Sequence, residues 1–178
     1  GMKTTPETGP CGNISAGGKV VGGALELFQN PGDMKASCLD RVAETLSTAL
    51  IFHQGWSSIQ SHYCPEDPQK LRSLIDACHR KNLKLMLYFG FELSEKAPEF
   101  EKWHKDALRV HPDRPVPELP RVRFDQKCGK VCYGGIWQDF ITFAIEKTRR
   151  DYPFDGVFLD AAMVPYPCPN ERHGCGWR

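Results

Sequence analysis

Four short runs, Ala24 to Phe28, Ala49 to His53, Leu83 to Phe91 and Phe154 to Asp160, are separated by stretches whose apolar residues recur at helical spacing. This alternation leaves few ways to fold. Strands that alternate with helices pair side by side in parallel through right-handed crossovers, which puts helices over the sheet. Leu39, Val42, Ala43 and Leu46 form one helical stripe, and Leu71, Leu74, Ile75 and Cys78 a second. The second is the better bounded, since Asp67-Pro68 is a cap and first-turn signal and Asn82 can close the helix in a left-handed conformation. Leu83 to Phe91 is nearly continuous in apolar residues, as expected of a parallel strand covered on both faces.

The remaining elements are read the same way. Asp33, in the turn Asn30 to Asp33, can cap the first helix, a short helix is expected around Pro98 to Leu108, and Trp137 to Arg150 restores helical period. Residues 111 to 135, rich in proline and glycine, read as a long loop, and residues 1 to 19 as a flexible leader. The expectation is therefore one α/β domain over residues 20 to 178, with about four parallel strands.

Charge and length exclude several function classes. Twenty-three basic against 22 acidic side chains give a net charge of +1, with no basic cluster interleaved with aromatics, so nucleic acid is not an expected partner. No apolar run approaches the roughly 18 to 20 residues needed to cross a bilayer, so a soluble protein and no membrane partner are expected, with secretion left open. Eight cysteines are many for a cytosolic enzyme and few for a disulfide scaffold of this length. Cys38 and Cys78 fall on the apolar helix faces and read as core.

An Asp that ends a strand is held rigidly with open space beyond it, which is where α/β folds place their chemistry. Asp160 holds that position, whereas Asp155, nearer the start of the same strand, reads as a turn residue. Glu92 shares side-chain parity with Tyr88 if their strand stays regular, so both would face one mouth, Tyr88 as a substrate contact and Glu92 as either a second active-site carboxylate or a solvated loop residue. His53 and Trp56 close the second strand, where an imidazole can hydrogen-bond a ligand hydroxyl and an indole can stack on a flat ligand face. In the tail, Cys168, His173 and Cys175 are three soft ligands within eight residues, and Cys128 with Cys132 could complete a zinc site. Disulfides among the same cysteines compete equally with metal.

Taken in order, His53-Gln54-Gly55-Trp56, Tyr63 to Pro68, Leu87 to Ser94 and Asp155 to Asp160 resemble successive strand ends of a glycoside hydrolase TIM barrel, among hypothetical glycosidases and family 123-like catalytic domains. The resemblance covers about residues 24 to 176 and implies the amino-terminal half of such a barrel. It implies a carbohydrate substrate, no required cofactor, and Asp160 as nucleophile or transition-state stabiliser. It also favours a structural role for the Cys/His tail. Glycosidic cleavage normally uses two carboxyl groups, and in α-galactosidase-like and α-amylase-like barrels the second comes from a later strand. Ala161 follows Asp160, unlike the adjacent Asp and Glu of family 123, which argues against a substrate-assisted mechanism. A half-barrel has open edges, so pairing into a homodimer is expected, and the missing second carboxyl group leaves both an active and an inactive isolated chain open. The competing reading is a non-catalytic carbohydrate-binding or assembly module stapled by the Cys/His tail.

Overall fold

The computed structural model describes residues 19–21, 24–27, 36–45, 49–52, 54–110, 121–123, 125–160 and 168–173. The leader up to residue 18 and the expected cap Asp33 lie outside them. In chain order the strands are β1 (Lys19–Val21), β2 (Ala24–Leu27), β3 (Ala49–Phe52), β4 (Lys84–Phe89), β5 (Glu92–Ser94), β6 (Arg121–Arg123), β7 (Gln126–Lys130) and β8 (Gly156–Leu159). The α-helices are α1 (Ala36–Thr45), α2 (Pro68–Arg80), α3 (Phe100–Ala107) and α4 (Trp137–Asp151).

One sheet has the strand order β1-β2-β3-β4-β8 and a second the order β5-β7-β6. In the first, β2, β3 and β4 pair in parallel, with Leu25 opposite Leu50 and Leu50 opposite Leu85. That is the parallel arrangement the alternating pattern predicts. β1 adds an antiparallel edge that the sequence did not reveal. No closed barrel is formed among the described residues.

The chain forms two compact units, one drawn from Gly1–Trp56, Asp67–Leu87 and Tyr152–Gly156, the other from Ser57–Glu66, Tyr88–Asp151 and Val157–Arg178. In the first, Leu71, Leu74, Ile75 and Cys78 of α2 are buried, as are Leu50, Ile51, Leu85 and Leu87 of the sheet. Each buried Leu or Ile contributes on the order of 2 kcal/mol from apolar surface removed from water. Asp67 caps α2 by accepting from the amides of Gln69 and Lys70, and Pro68 occupies the first turn, where a missing N–H costs nothing. Asn82 adopts φ 56°, the left-handed ending expected beyond that helix.

Asp155 is built into this unit. Its Oδ2 accepts from the Leu85 amide at 2.9 Å and lies 2.8 Å from His79 Nε2, while its own amide donates to the Leu85 carbonyl. Burial works to raise its carboxyl, but the Leu85 amide, His79 and Lys84 together hold it below the usual carboxylate value. The same carboxylate and burial push the Cys78 thiol up to about 12, burial being the larger cause, as suits a core cysteine. Arg72 lies over the Tyr152 ring at 4.6 Å.

The second unit departs most from the sequence expectation. Residues 111 to 135 are not all loop: β6 and β7 pair antiparallel within them, and β7 also pairs with β5. The long run Leu83 to Phe91 ends as a strand at Phe89, and Glu92 opens β5 in the other sheet. The regular parity between Tyr88 and Glu92 therefore does not hold. A core of Phe91, Leu93, Ala97, Ala107, Leu108, Val131 and Trp137 fills this unit.

Candidate functional site

Asp160 follows β8 immediately, is exposed, and accepts a hydrogen bond from the Tyr88 hydroxyl at 3.3 Å. Two of the residues singled out in the sequence are thus brought together. Tyr88 is only 4 % exposed, and its ring stacks on Phe158 of β8 with centroids 6.1 Å apart. A side chain packed on one face and bonded at its tip has one orientation, so the hydroxyl is fixed before any substrate arrives. Gly90 makes room for it: a Cβ there would lie 3.0 Å from the Tyr88 hydroxyl and 2.5 Å from Ser61 Oγ.

The other sequence candidates are placed differently. Glu92 is buried at 2 % exposure and pairs in register with Lys130 of β7. Trp56 is likewise buried, at 3 %. His53 and Cys175 lie outside the described residues. Cys128 is buried on β7, whereas Cys132, Cys168 and His173 converge, with their ligand atoms all within 4.8 Å of one another. No disulfide joins cysteines among the described residues.

Two buried polar constellations escaped the sequence reading. Gln126 accepts from the Gln60 amide at 3.2 Å and the Ser94 hydroxyl at 2.7 Å, and donates to the Ser58 carbonyl at 2.7 Å. It ties the segment after Trp56 to β5 and β7. Glu99 accepts from the Tyr63 hydroxyl at 3.0 Å and lies 3.0 Å from Nε2 of the buried His62. Burial lowers the His62 pKa against the opposing pull of Glu99, and burial together with Glu99 pushes Tyr63 up to about 12. Burial would raise Glu99 itself, but His62, its backbone hydrogen bond and Tyr63 hold it below the ordinary value. Beside it, a cavity of about 250 Å³ is walled by Leu93, Trp103, Ile136, Trp137, Phe140 and Phe143, and includes neither Asp160 nor Tyr88 in its lining.

No family model and no curated protein matches the chain. Solved structures do. An α-N-acetylgalactosaminidase from Bifidobacterium bifidum, in a Gal-NHAc-DNJ complex, matches 84% of the chain at 16% identity with a TM-score of 0.61. An α-galactosidase from Thermus thermophilus, in complex with p-nitrophenyl α-D-galactopyranoside, matches 76% at 18% identity with a TM-score of 0.54. A maltogenic α-amylase from Thermotoga neapolitana matches 73% at 12% identity with a TM-score of 0.51. The matched part spans 29%, 30% and 35% of those chains respectively. At these identities the likeness shows the fold: a partial α/β arrangement of the kind that these glycosidases contain.

An exposed carboxylate stands at a strand end, and a fixed phenol donates to one of its oxygens. Among the described residues, no helix is long and apolar enough to cross a membrane.

Proposed function

We propose that this chain is a glycoside hydrolase-like domain acting on a carbohydrate, belonging to a (β/α) TIM-barrel protein, with Asp160 as nucleophile or transition-state stabiliser. The observation that carries the reading is the hydrogen bond from the buried Tyr88 hydroxyl to the exposed strand-end carboxylate of Asp160. Tyr88 fixes the carboxylate's orientation and leaves its other oxygen for substrate. The likeness to α-galactosidase, α-N-acetylgalactosaminidase and α-amylase structures supports the same class of substrate.

Retaining glycosidases attack the anomeric carbon with one carboxylate about 5 Å from a second that donates and later withdraws a proton. Asp160 suits the first role, because it is exposed and strand-held. Glu92, buried on β5, is the candidate within this chain for a supporting carboxylate, and His53 for a sugar contact. Trp56, as a stacking platform, requires the chain around it to open, given its burial. Ala161 after Asp160 favours direct attack by this carboxylate over a substrate-assisted route. The reaction needs no cofactor.

Pairing with a second copy belongs to this proposal, because it would cover open strand edges. Sedimentation showing a dimer supports it, and a stable monomer refutes it.

The functional test is hydrolysis of a panel of aryl α- and β-glycosides by the chain and its Asp160→Asn variant. Turnover that is lost in the variant supports the reading. Sugar binding without turnover, unchanged by the substitution, would replace it with a non-catalytic carbohydrate-binding module.

A further inference from the structure

We infer that Cys132, Cys168 and His173 supply three of the four ligands of a tetrahedral zinc site that fastens the tail segment 168–173 against the end of α3. This inference stands independently of the hydrolase reading. Metal sites are recognised by convergence of the right donors. Here two sulfurs and an imidazole, from positions 36 and 41 residues apart along the chain counted from Cys132, meet within 4.8 Å in a buried place. Cys132 is 4 %, Cys168 0 % and His173 5 % exposed.

The spacing suits zinc. With Zn–S near 2.3 Å and Zn–N near 2.1 Å, tetrahedral geometry sets ligand atoms roughly 3.5–3.8 Å apart. Cys168 Sγ and His173 Nδ1 stand 3.1 Å apart, and the whole group lies within 4.8 Å, so the donors bracket that range with only small side-chain rotations needed. Soft thiolates with imidazole select zinc over calcium or magnesium, which require oxygen.

The surroundings orient the donors. The Val110 amide points at Cys168 Sγ at 3.4 Å, the hydrogen bond that a thiolate, more than a thiol, rewards. His173 Nδ1 faces the Cys168 sulfur, and its Nε2, on the opposite edge of the ring, lies 3.2 Å from Asn170 Nδ2. Gly135 allows the ring to pack closely, since a Cβ there would come within 3.0 Å of His173 Cδ2 and 2.6 Å of the Asp106 carbonyl. Asn170 donates to the Lys105 carbonyl, and Arg172 pairs with Asp106 at 2.8 Å, which docks the same tail segment on the end of α3.

The geometry also selects among the cysteines. Cys128, two strand residues before the turn into Cys132, is outside the converging group, so the site is not a generic pool of five ligands.

The test is elemental analysis of the intact chain purified under reducing conditions, together with cobalt substitution. About one zinc per chain is expected, and the cobalt form should show tetrahedral d–d bands and a thiolate-to-metal charge-transfer band. Cys132→Ser and Cys168→Ser should lose most of the metal, while Cys128→Ser keeps it. Reduced protein that binds neither metal overturns the inference, as does a native mass lower by a pair of hydrogens with Cys132 and Cys168 joined in one disulfide-linked peptide. Equal zinc loss in Cys128→Ser and Cys132→Ser would also overturn the assignment of ligands. The cobalt spectrum of the unmodified chain keeps the test decisive even if a serine variant fails to fold.

Discussion

Two aspartates bracket the same strand, both at the surface, and they differ in what holds their carboxylates. Asp155, before β8, is engaged by the Leu85 amide and by His79, with its side chain 22 % exposed. Asp160, after β8, is exposed and accepts from the Tyr88 hydroxyl. A carboxylate whose lone pairs are taken by the protein's own backbone stabilises the fold and has little left to offer a ligand. One held by a single oriented phenol keeps an oxygen for substrate. The contrast separates a carboxylate committed to the fold from one that the proposed hydrolase reading can use.

The sharpest way to break this comparison is Asp160→Asn. Turnover on a responsive glycoside should fall by about 10²-fold or more, while the unfolding free energy from denaturant titration stays within about 0.5 kcal/mol of the parent. Asp155→Ala should do the reverse. It strands the Leu85 amide and removes the His79 partner, for an expected loss of about 2 kcal/mol in chemical denaturation.

Gly90→Ala tests the placement of Tyr88. The added methyl meets the Tyr88 hydroxyl and Ser61 Oγ, and overpacking of this kind costs roughly 1–3 kcal/mol. It should also lower turnover, because Tyr88 is displaced from Asp160. Tyr88→Phe is milder, removing one hydrogen bond worth about 1 kcal/mol and leaving the stack on Phe158.

The smallest effect is in pH. Asp155 has its carboxyl held below the ordinary 3.8, so its stabilisation is complete above 3.8 and is lost as pH falls from there through the lower folded-state value. His62, lowered from 6.5 by burial, acts in the same direction: the folded state resists protonation, so stability declines as pH falls below 6.5. Urea midpoints measured from pH 7 to 3 should therefore fall in two stages. In Asp155→Ala the lower stage should be reduced while the upper one persists.

Much of the first unit was legible in the sequence, because its signals are local. Asp67 and Pro68 cap α2, Leu71, Leu74, Ile75 and Cys78 repeat at helical period, and Asn82 ends the helix, all within sixteen residues of chain. The second unit was not. The strand signal after residue 111 is short, Arg121 to Phe124 alternating over only four residues among prolines and glycines, and β7 becomes a strand because β5 and β6 pair with it. Gln126 bonds to a backbone amide 66 residues away and Glu99 to a histidine 37 residues away, relations that no local pattern encodes. Asp160 and Tyr88 were named from strand-end logic, 72 residues apart, and the hydrogen bond joins them. Glu92 was named on a parity that Gly90 interrupts as the chain leaves one sheet for the other.

The most direct measurement is a side-by-side assay of Asp155→Asn and Asp160→Asn for glycoside turnover and for unfolding free energy. The account predicts that Asp160→Asn loses turnover and keeps stability, while Asp155→Asn loses stability and, once folded, keeps turnover. Equal turnover in the parent and Asp160→Asn would contradict it.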